Sequence, residues 1–263
     1  MNNKNDALTS FSVENHCMLN DQSRQLFQTW YKTELGQSLS DLECSEIERE
    51  IDHAVGYYLV VQSPLNAISL DQHRLRESIL IVPELELGAP KNVVVAKANE
   101  LPLESDGVDV HVLHHTLDLS LTPHDDLREA ARTLLPSGKL IVIGFNPWSL
   151  WGIRRLFSKR MKAPWCGRFI GHRRLEDWLK VAGLTLEKKR FLHYEPPLQK
   201  AAWRQRCHWI ERLLSPFKLP FGGIYIMTAT KQTRRYIPLK PRWKSARVRV
   251  PPFTKPAAKE MKD

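Results

Sequence analysis

The 263-residue chain has little of what would assign it at a glance. Its four cysteines, Cys17, Cys44, Cys166 and Cys207, stand far apart with no CxxC pair. That excludes a zinc ribbon and a disulfide framework, so they read as reduced thiols and no metal site is expected. No apolar run approaches the roughly 18 residues that cross a bilayer, which excludes a transmembrane helix. The start, MNNKNDALTSFSVENHC, lacks the basic and apolar regions of a signal peptide, so a cytoplasmic location is expected.

Acidic residues are scarce in one half only. Residues 1–150 hold 11 Lys/Arg against 22 Asp/Glu (−11), residues 151–263 hold 28 against 7 (+21), and the chain nets +10. A basic half of this size suits an anionic partner such as RNA, a membrane surface or an acidic protein. Equally, the two halves can neutralise each other where they pack.

What is present points to an α/β protein. Hydrophobic residues make up 42% of the chain, enough for an ordinary core. Residues 1–20 carry no periodicity and read as a flexible lead-in. Leu26, Phe27, Trp30, Tyr31 and Leu35 recur at helical spacing, and Leu39, Leu42, Ile47, Ile51 and Val55 repeat the pattern. Two helices over 21–55 are therefore predicted, with Gly36 and Gly56 as their C-caps.

Apolar runs follow at 57–62, 78–82, 92–96, 108–113 and 139–144, and runs apolar on both faces belong to a parallel sheet covered by helices. A helix between the last two is announced by Thr122 as cap, Pro123, Asp125 and Asp126 in its first turn, and a stripe of Leu127, Ala131, Leu134 and Leu135. Pro136-Ser137-Gly138 ends it. A helix over RRLEDWLKVAG closes at Gly183, the alternating LTLEKKRFLHY follows, a helical stretch spans Trp203 to Leu214, and GGIYIMTATK makes a seventh strand. The expected fold is a doubly wound, seven-stranded Rossmann-like sheet over 56–231 with an antiparallel last strand, N-terminal helices and a basic tail over 232–263. From Lys231 onward, 11 basic residues face only Glu260 and Asp263, a composition that favours disorder.

In such sheets ligands bind beyond the carboxyl ends of the strands. There, ANELPLESDGVDVHVLHHTLDLSLTPHDDLREAARTLLPSGKLIVIGFNP resembles the second half of a class I S-adenosylmethionine-dependent methyltransferase domain of the type 11 branch. The matching elements are Leu101-Pro102-Leu103, Asp106 and Asp109, His114-His115, and Arg128-Glu129 through Pro136 to Gly138. GFNPWSLWGIRRL, RRLEDWL, GGIYIMTATK and PLKPRW are similar to a bacterial subgroup with a basic tail.

The resemblance implies S-adenosylmethionine as cofactor and an unidentified methyl acceptor. By position it implies Gln62, Ser63, Glu84, Ala98, Asn99, Leu101 and His114 as cofactor-binding residues, and Asn146, Trp148 and Trp151 on the acceptor side. His114 or His115 is the candidate general base, imidazole titrating near neutrality. Either histidine can instead be packed against the strand end. Two departures stand out: Val60 to Asn66 contains no glycine where the family has a glycine-rich loop, and Lys97 stands where the family often has an aspartate.

The segment after the fifth strand has three readings. Trp148, Trp151 and Leu156 can be the core side of a covering helix. They can instead line an aromatic acceptor pocket, or form an interfacial amphipathic surface with Arg154 and Arg155. The alternative to an enzyme is an inactive methyltransferase-fold scaffold that binds an anionic partner through Arg154, Arg155 and the basic tail.

Overall fold

Five strand segments carry β-branched and aliphatic residues on both faces, and each finds a neighbour of the same kind. In the computed structural model, which describes residues 22–52, 54, 56–65, 75–85, 92–158, 162–198 and 219–232, they form one sheet. The strands are β1 (Tyr58–Gln62), β2 (Glu77–Val82), β3 (Val93–Val95), β4 (Val108–His114), β5 (Leu134–Phe145), β6 (Leu184–Leu192) and β7 (Ile224–Lys231). Their order is β3-β2-β1-β4-β5-β7-β6. The first five run parallel, and β7 lies antiparallel between β5 and β6. This is the doubly wound sheet expected from the sequence. The lead-in, the stretch around Trp203 to Leu214 and the basic tail lie outside the described residues.

Helices cover both faces. Residues 22–31 form α1, and α2 (Glu34–Ile51) lays Ile47 and Ile51 on the face of Leu59, Val61, Val110 and Val112. A short α3 (Thr116–Leu119) follows β4, and α5 (Leu150–Phe157) follows β5. On the opposite face, α4 (Pro123–Thr133) and α6 (His172–Val181) pack Leu127, Ala131, Leu175 and Leu179 against Leu113, Leu140, Val142 and Met227. A third core is aromatic and sits at the carboxyl end of β5. Phe27, Trp30 and Tyr31 of α1 meet Phe145, Trp151, Trp165 and Phe169 there. Trp30 stands edge-on to Trp151 with ring centroids 5.9 Å apart, and Phe145 stacks on Phe169 at 5.0 Å.

Several boundaries differ from the sequence reading, each for a local reason. Gly36 is not a C-cap. Thr33 caps α2, its hydroxyl accepting the Gly36 N–H at 3.3 Å, and Gly36 sits in the first turn. A Cβ there would lie 2.3 Å from the Trp30 carbonyl oxygen, so glycine serves the close approach of the two helices. Gly56 likewise lies beyond the end of α2. Its missing side chain makes room for Asp109, whose carboxylate accepts the Tyr57 and Tyr58 N–H groups at 2.9 Å each.

Leu134 and Leu135 belong to β5 rather than to α4; Leu134 pairs with Val108 ahead of a register shift and lies in the same core as Leu127. Thr122 makes no side-chain cap; its carbonyl accepts the Asp125 and Asp126 N–H groups instead.

The Gly36 contact gives a clean test. Alanine is favoured over glycine in a helix by about 1 kcal/mol, so a loss on Gly36→Ala isolates the clash. Urea unfolding of that variant is expected to show a stability lower by about 1–3 kcal/mol, the usual cost of overpacking.

Candidate functional site

The chain crosses from β3 at one edge back to β4 beside β1, which makes the β1/β4 boundary the switch point where open sheets bind ligands. Gln62 is the last residue of β1 and only 2% exposed. Strand alternation puts it on the face of Val60, which packs with Ile81 and Leu101. Among the described residues neither atom of its amide has a hydrogen-bond partner. Its carbonyl is held by the Thr116 hydroxyl at 3.0 Å, which ties the start of α3 to the end of β1.

The glycine-free loop that follows is closed by its own side chain. The Ser63 N–H donates to the Ile81 carbonyl, the Ser63 hydroxyl oxygen accepts the Leu65 N–H at 3.0 Å, and the Pro64 carbonyl accepts Gln28 Nε2 at 3.0 Å.

Beside this loop lies a buried ionic network. Glu43 of α2, His114 at the end of β4, His115 and Asp118 are all at most 1% exposed. Glu43 accepts from His114 Nε2 at 3.0 Å, His115 Nε2 at 2.8 Å and the Tyr31 hydroxyl at 3.1 Å. His114 Nδ1 lies 3.1 Å from the Ser63 hydroxyl. His114 Nε2 faces the Glu43 carboxylate and must donate to it, so in the neutral ring Nδ1 is the acceptor and takes the Ser63 hydroxyl proton.

His115 has a carboxylate at each nitrogen, Asp118 Oδ2 standing 2.8 Å from its Nδ1, so both nitrogens donate and the ring is an imidazolium. Asp118 Oδ2 also accepts the Phe145 N–H at 3.0 Å, and Phe145 stacks on the His115 ring at 4.4 Å. His115 itself adopts a left-handed backbone, φ 49°, which turns β4 into α3.

Burial works against every charge here, and the partners decide which survive. Burial raises the Glu43 carboxyl, but the His115 charge and the hydrogen bonds from both histidines outweigh it and hold it at about 2. Burial lowers His115, but Glu43 and Asp118 hold it up at about 9. For His114 burial wins and its value falls; for Asp118 burial wins and its value rises. Glu43, His114 and His115 each offer a ligand atom within 4.8 Å of the others, a spacing that could hold a metal ion. Those atoms are committed to hydrogen bonds with one another, so an ion would have to displace the protons between them.

The remaining candidates are spread around this centre. Leu101 is buried, its N–H donating to Glu129 Oε1 at 3.0 Å. Ala98 is half-buried and Asn99 exposed, beside a Lys97–Glu100 pair at 3.8 Å. Glu84, exposed at the end of β2, pairs with Arg24 of α1 at 2.7 Å. Asn146 is buried and joins β5 to the approach of β7, its amide donating to the Pro220 and Gly222 carbonyls at 2.9 Å each. Trp151 is in the core with Nε1 on the Glu195 carbonyl at 3.0 Å, whereas Trp148 is 70% exposed.

Sequence reasoning missed Glu43, Tyr31 and Asp118. A signal for the first was present: Leu35, Leu39, Glu43, Ile47 and Ile51 form one stripe at four-residue spacing, with a carboxylate in its middle.

His115, raised to about 9 from 6.5, contributes stability that is complete below pH 6.5 and is lost as pH rises through 9. Asp118, also raised, adds to a loss with rising pH. Glu43, held at about 2 from 4.5, contributes stability present above 4.5 and lost as pH falls through 2. Tm is therefore expected to fall between pH 6.5 and 9, and His115→Gln to flatten that limb while lowering Tm at pH 6. A parent Tm that stays level over this range would show that His115 is not charged.

With this geometry in view, three comparisons bear on the chain. Residues 62–142 match the family described as a methyltransferase domain. The Escherichia coli (strain K12) protein YafS is 32% identical over 141 residues, 53% of this chain and 55% of that protein, so the match spans about half the length of this curated relative. A chain from the complex of the Haloferax volcanii Trm112 methyltransferase activator with a methyltransferase aligns with a TM-score of 0.58 at 15% identity, covering 81% of this chain and 99% of that one. A SAM-dependent methyltransferase from Archaeoglobus fulgidus aligns at 0.52 and 17%, covering 73% and 94%. Residues 62–142 thus match a methyltransferase domain model, and the sheet has the fold of these solved methyltransferase structures.

Proposed function

We propose that the chain is an S-adenosylmethionine-dependent methyltransferase whose cofactor lies across the carboxyl ends of β1 to β4. The observation that carries this is the Gln62 amide, buried at the switch point with donor and acceptor both unpaired among the described residues. Leaving such a group dry costs about 1–3 kcal/mol, and a ligand that both donates and accepts, such as an adenosine, relieves it. The family match supports that ligand, as do neighbours described as SAM-dependent methyltransferases, and a geranyl diphosphate C-methyltransferase in complex with S-adenosyl-L-homocysteine.

Leu101, packed with Val60 and Ile81, offers an apolar wall for the adenine, and Glu84 a carboxylate for the ribose hydroxyls. The bound cofactor supplies a methyl group on a sulfonium, and its transfer depends on alignment with the acceptor more than on acid or base help. The chain's part is to orient. Thr116 fixes the Gln62 carbonyl, Ser63 closes the loop, and the Glu43 network stiffens the ends of β1 and β4. Both ring nitrogens of His114 and His115 are engaged, so they act as positioning residues rather than as bases.

One observation favours a second reading, a methyltransferase fold retained as a binding module. The Ser63 and Leu65 N–H groups are consumed internally, so they do not offer the donors that a glycine-rich loop gives a cofactor. Isothermal titration of the full chain with S-adenosylmethionine and S-adenosylhomocysteine separates the two. Binding is expected, and Gln62→Leu should weaken it about tenfold or more, equivalent to about 1.4 kcal/mol, while raising Tm by removing the unpaired amide. No heat and no thermal shift with either ligand would sink the enzyme and leave the binding module.

A further inference from the structure

We propose that α5 and the turn before it form a docking surface for an anionic lipid bilayer. On this eight-residue helix only Trp151 and Gly152 face the core. Leu150, Ile153, Leu156 and Phe157 are exposed, the last two by 82% and 87%, and Trp148 precedes them at 70%. At about 100° per residue the four helical side chains cover one arc of about 120°, and Arg154 lies at its edge.

The helix is held rigidly from behind. Ser149 caps it, accepting the Gly152 N–H at 3.1 Å and donating to the Asn146 carbonyl at 2.7 Å. Arg155 donates to the Trp165 carbonyl at 3.3 Å and lies 4.9 Å over the Phe169 ring. The apolar arc is therefore presented by a fixed scaffold and pays little ordering cost on binding.

Charge selects the partner. From Phe145, where β5 ends, to Leu175 the chain has no Asp or Glu and eight Lys/Arg, Arg154, Arg155, Lys162 and Arg168 among them. An apolar patch within a carboxylate-free, basic stretch complements a surface that is anionic outside and apolar beneath, which is a bilayer with acidic headgroups. Single-stranded RNA fits less well, because bases stack on flat rings and only Trp148 and Phe157 offer one, against the aliphatic Leu150, Ile153 and Leu156. The surface follows the carboxyl end of β5, at the same end of the parallel strands as Gln62.

Co-sedimentation of the full chain with vesicles of phosphatidylcholine and phosphatidylglycerol (about 7:3), against phosphatidylcholine alone, tests this. The bound fraction is expected to be at least about tenfold higher on the anionic vesicles, with tryptophan fluorescence quenched by brominated lipid and the quenching reduced in Trp148→Phe. Leu156→Asp/Phe157→Asp should lower binding about tenfold at unchanged Tm, since both side chains are largely in solvent. The proposal is overturned if the chain stays in the supernatant with anionic vesicles, or if the double variant binds as the parent does. It is equally overturned if a single-stranded RNA binds while vesicles do not, or if the double variant merely abolishes a dimer. S-adenosylmethionine titration of the same variant reads the cofactor site separately, so failure of one idea leaves the other standing.

Discussion

The buried carboxylate of Glu43 is the constraint around which this end of the molecule is arranged. An ion taken out of water loses several kcal/mol of hydration even after the protein relaxes, and it is tolerated only where its lone pairs are met. Glu43 meets that condition with three donors from three elements: Tyr31 of α1, His114 of β4, and His115 at the start of α3. The requirement runs outward from there. His115 needs a second anion, which Asp118 supplies, and Asp118 in turn takes the Phe145 N–H at the end of β5. One carboxylate thereby fixes the position of α2 along the sheet, because sliding the helix by a residue would strand a charge among Phe27, Tyr31 and Phe145.

That network also explains how a loop without glycine can leave β1. A glycine-rich loop lets backbone N–H groups turn outward at no steric cost. Here the turn is made by a side chain: the Ser63 hydroxyl receives the Leu65 N–H and passes its own proton to His114, whose other nitrogen is anchored on Glu43. The loop is held from within, and the donors that would have met a ligand are spent on it. At the end of β1 the same arrangement leaves the Gln62 amide buried with no hydrogen-bond partner among the described residues, the feature on which the proposed cofactor site rests.

The sheet was legible in the sequence because strands covered on both faces are apolar throughout: five such runs became β1 to β5, while the alternating LTLEKKRFLHY and the GGIYIMTATK segment became β6 and β7. Their ends were less legible where tertiary contacts override local signals. Gly36 and Gly56 carry the signature of helix caps, yet each is glycine because another chain segment passes within van der Waals distance. Leu134 and Leu135 continue a helical stripe in sequence while the backbone has already turned to strand. At the site, the histidines announced themselves by following a strand, but their partner did not. Glu43 lies 71 residues before His114, and only its place in an otherwise aliphatic stripe distinguishes it from the seven other glutamates between Glu34 and Glu104.

The stretch after β5 shows how one motif can divide its labour. In GFNPWSLWGIRRLF, Asn146 and Trp151 hold the end of β5 to the approach of β7 and to the aromatic core. A covering helix would be expected to bury Trp148 and Leu156 as well, and it does not. The geometry explains why. A Cβ on Gly152 would lie within 1.9 Å of the Pro147 carbonyl oxygen, so the helix starts in a tight turn that presses only Trp151 and Gly152 inward. Everything on the other side of that turn is directed to solvent at a price in exposed apolar area that the fold does not need. Packing accounts for Trp151, whereas Leu156 and Phe157 stand in solvent, and it is on that exposure that the proposed bilayer contact rests.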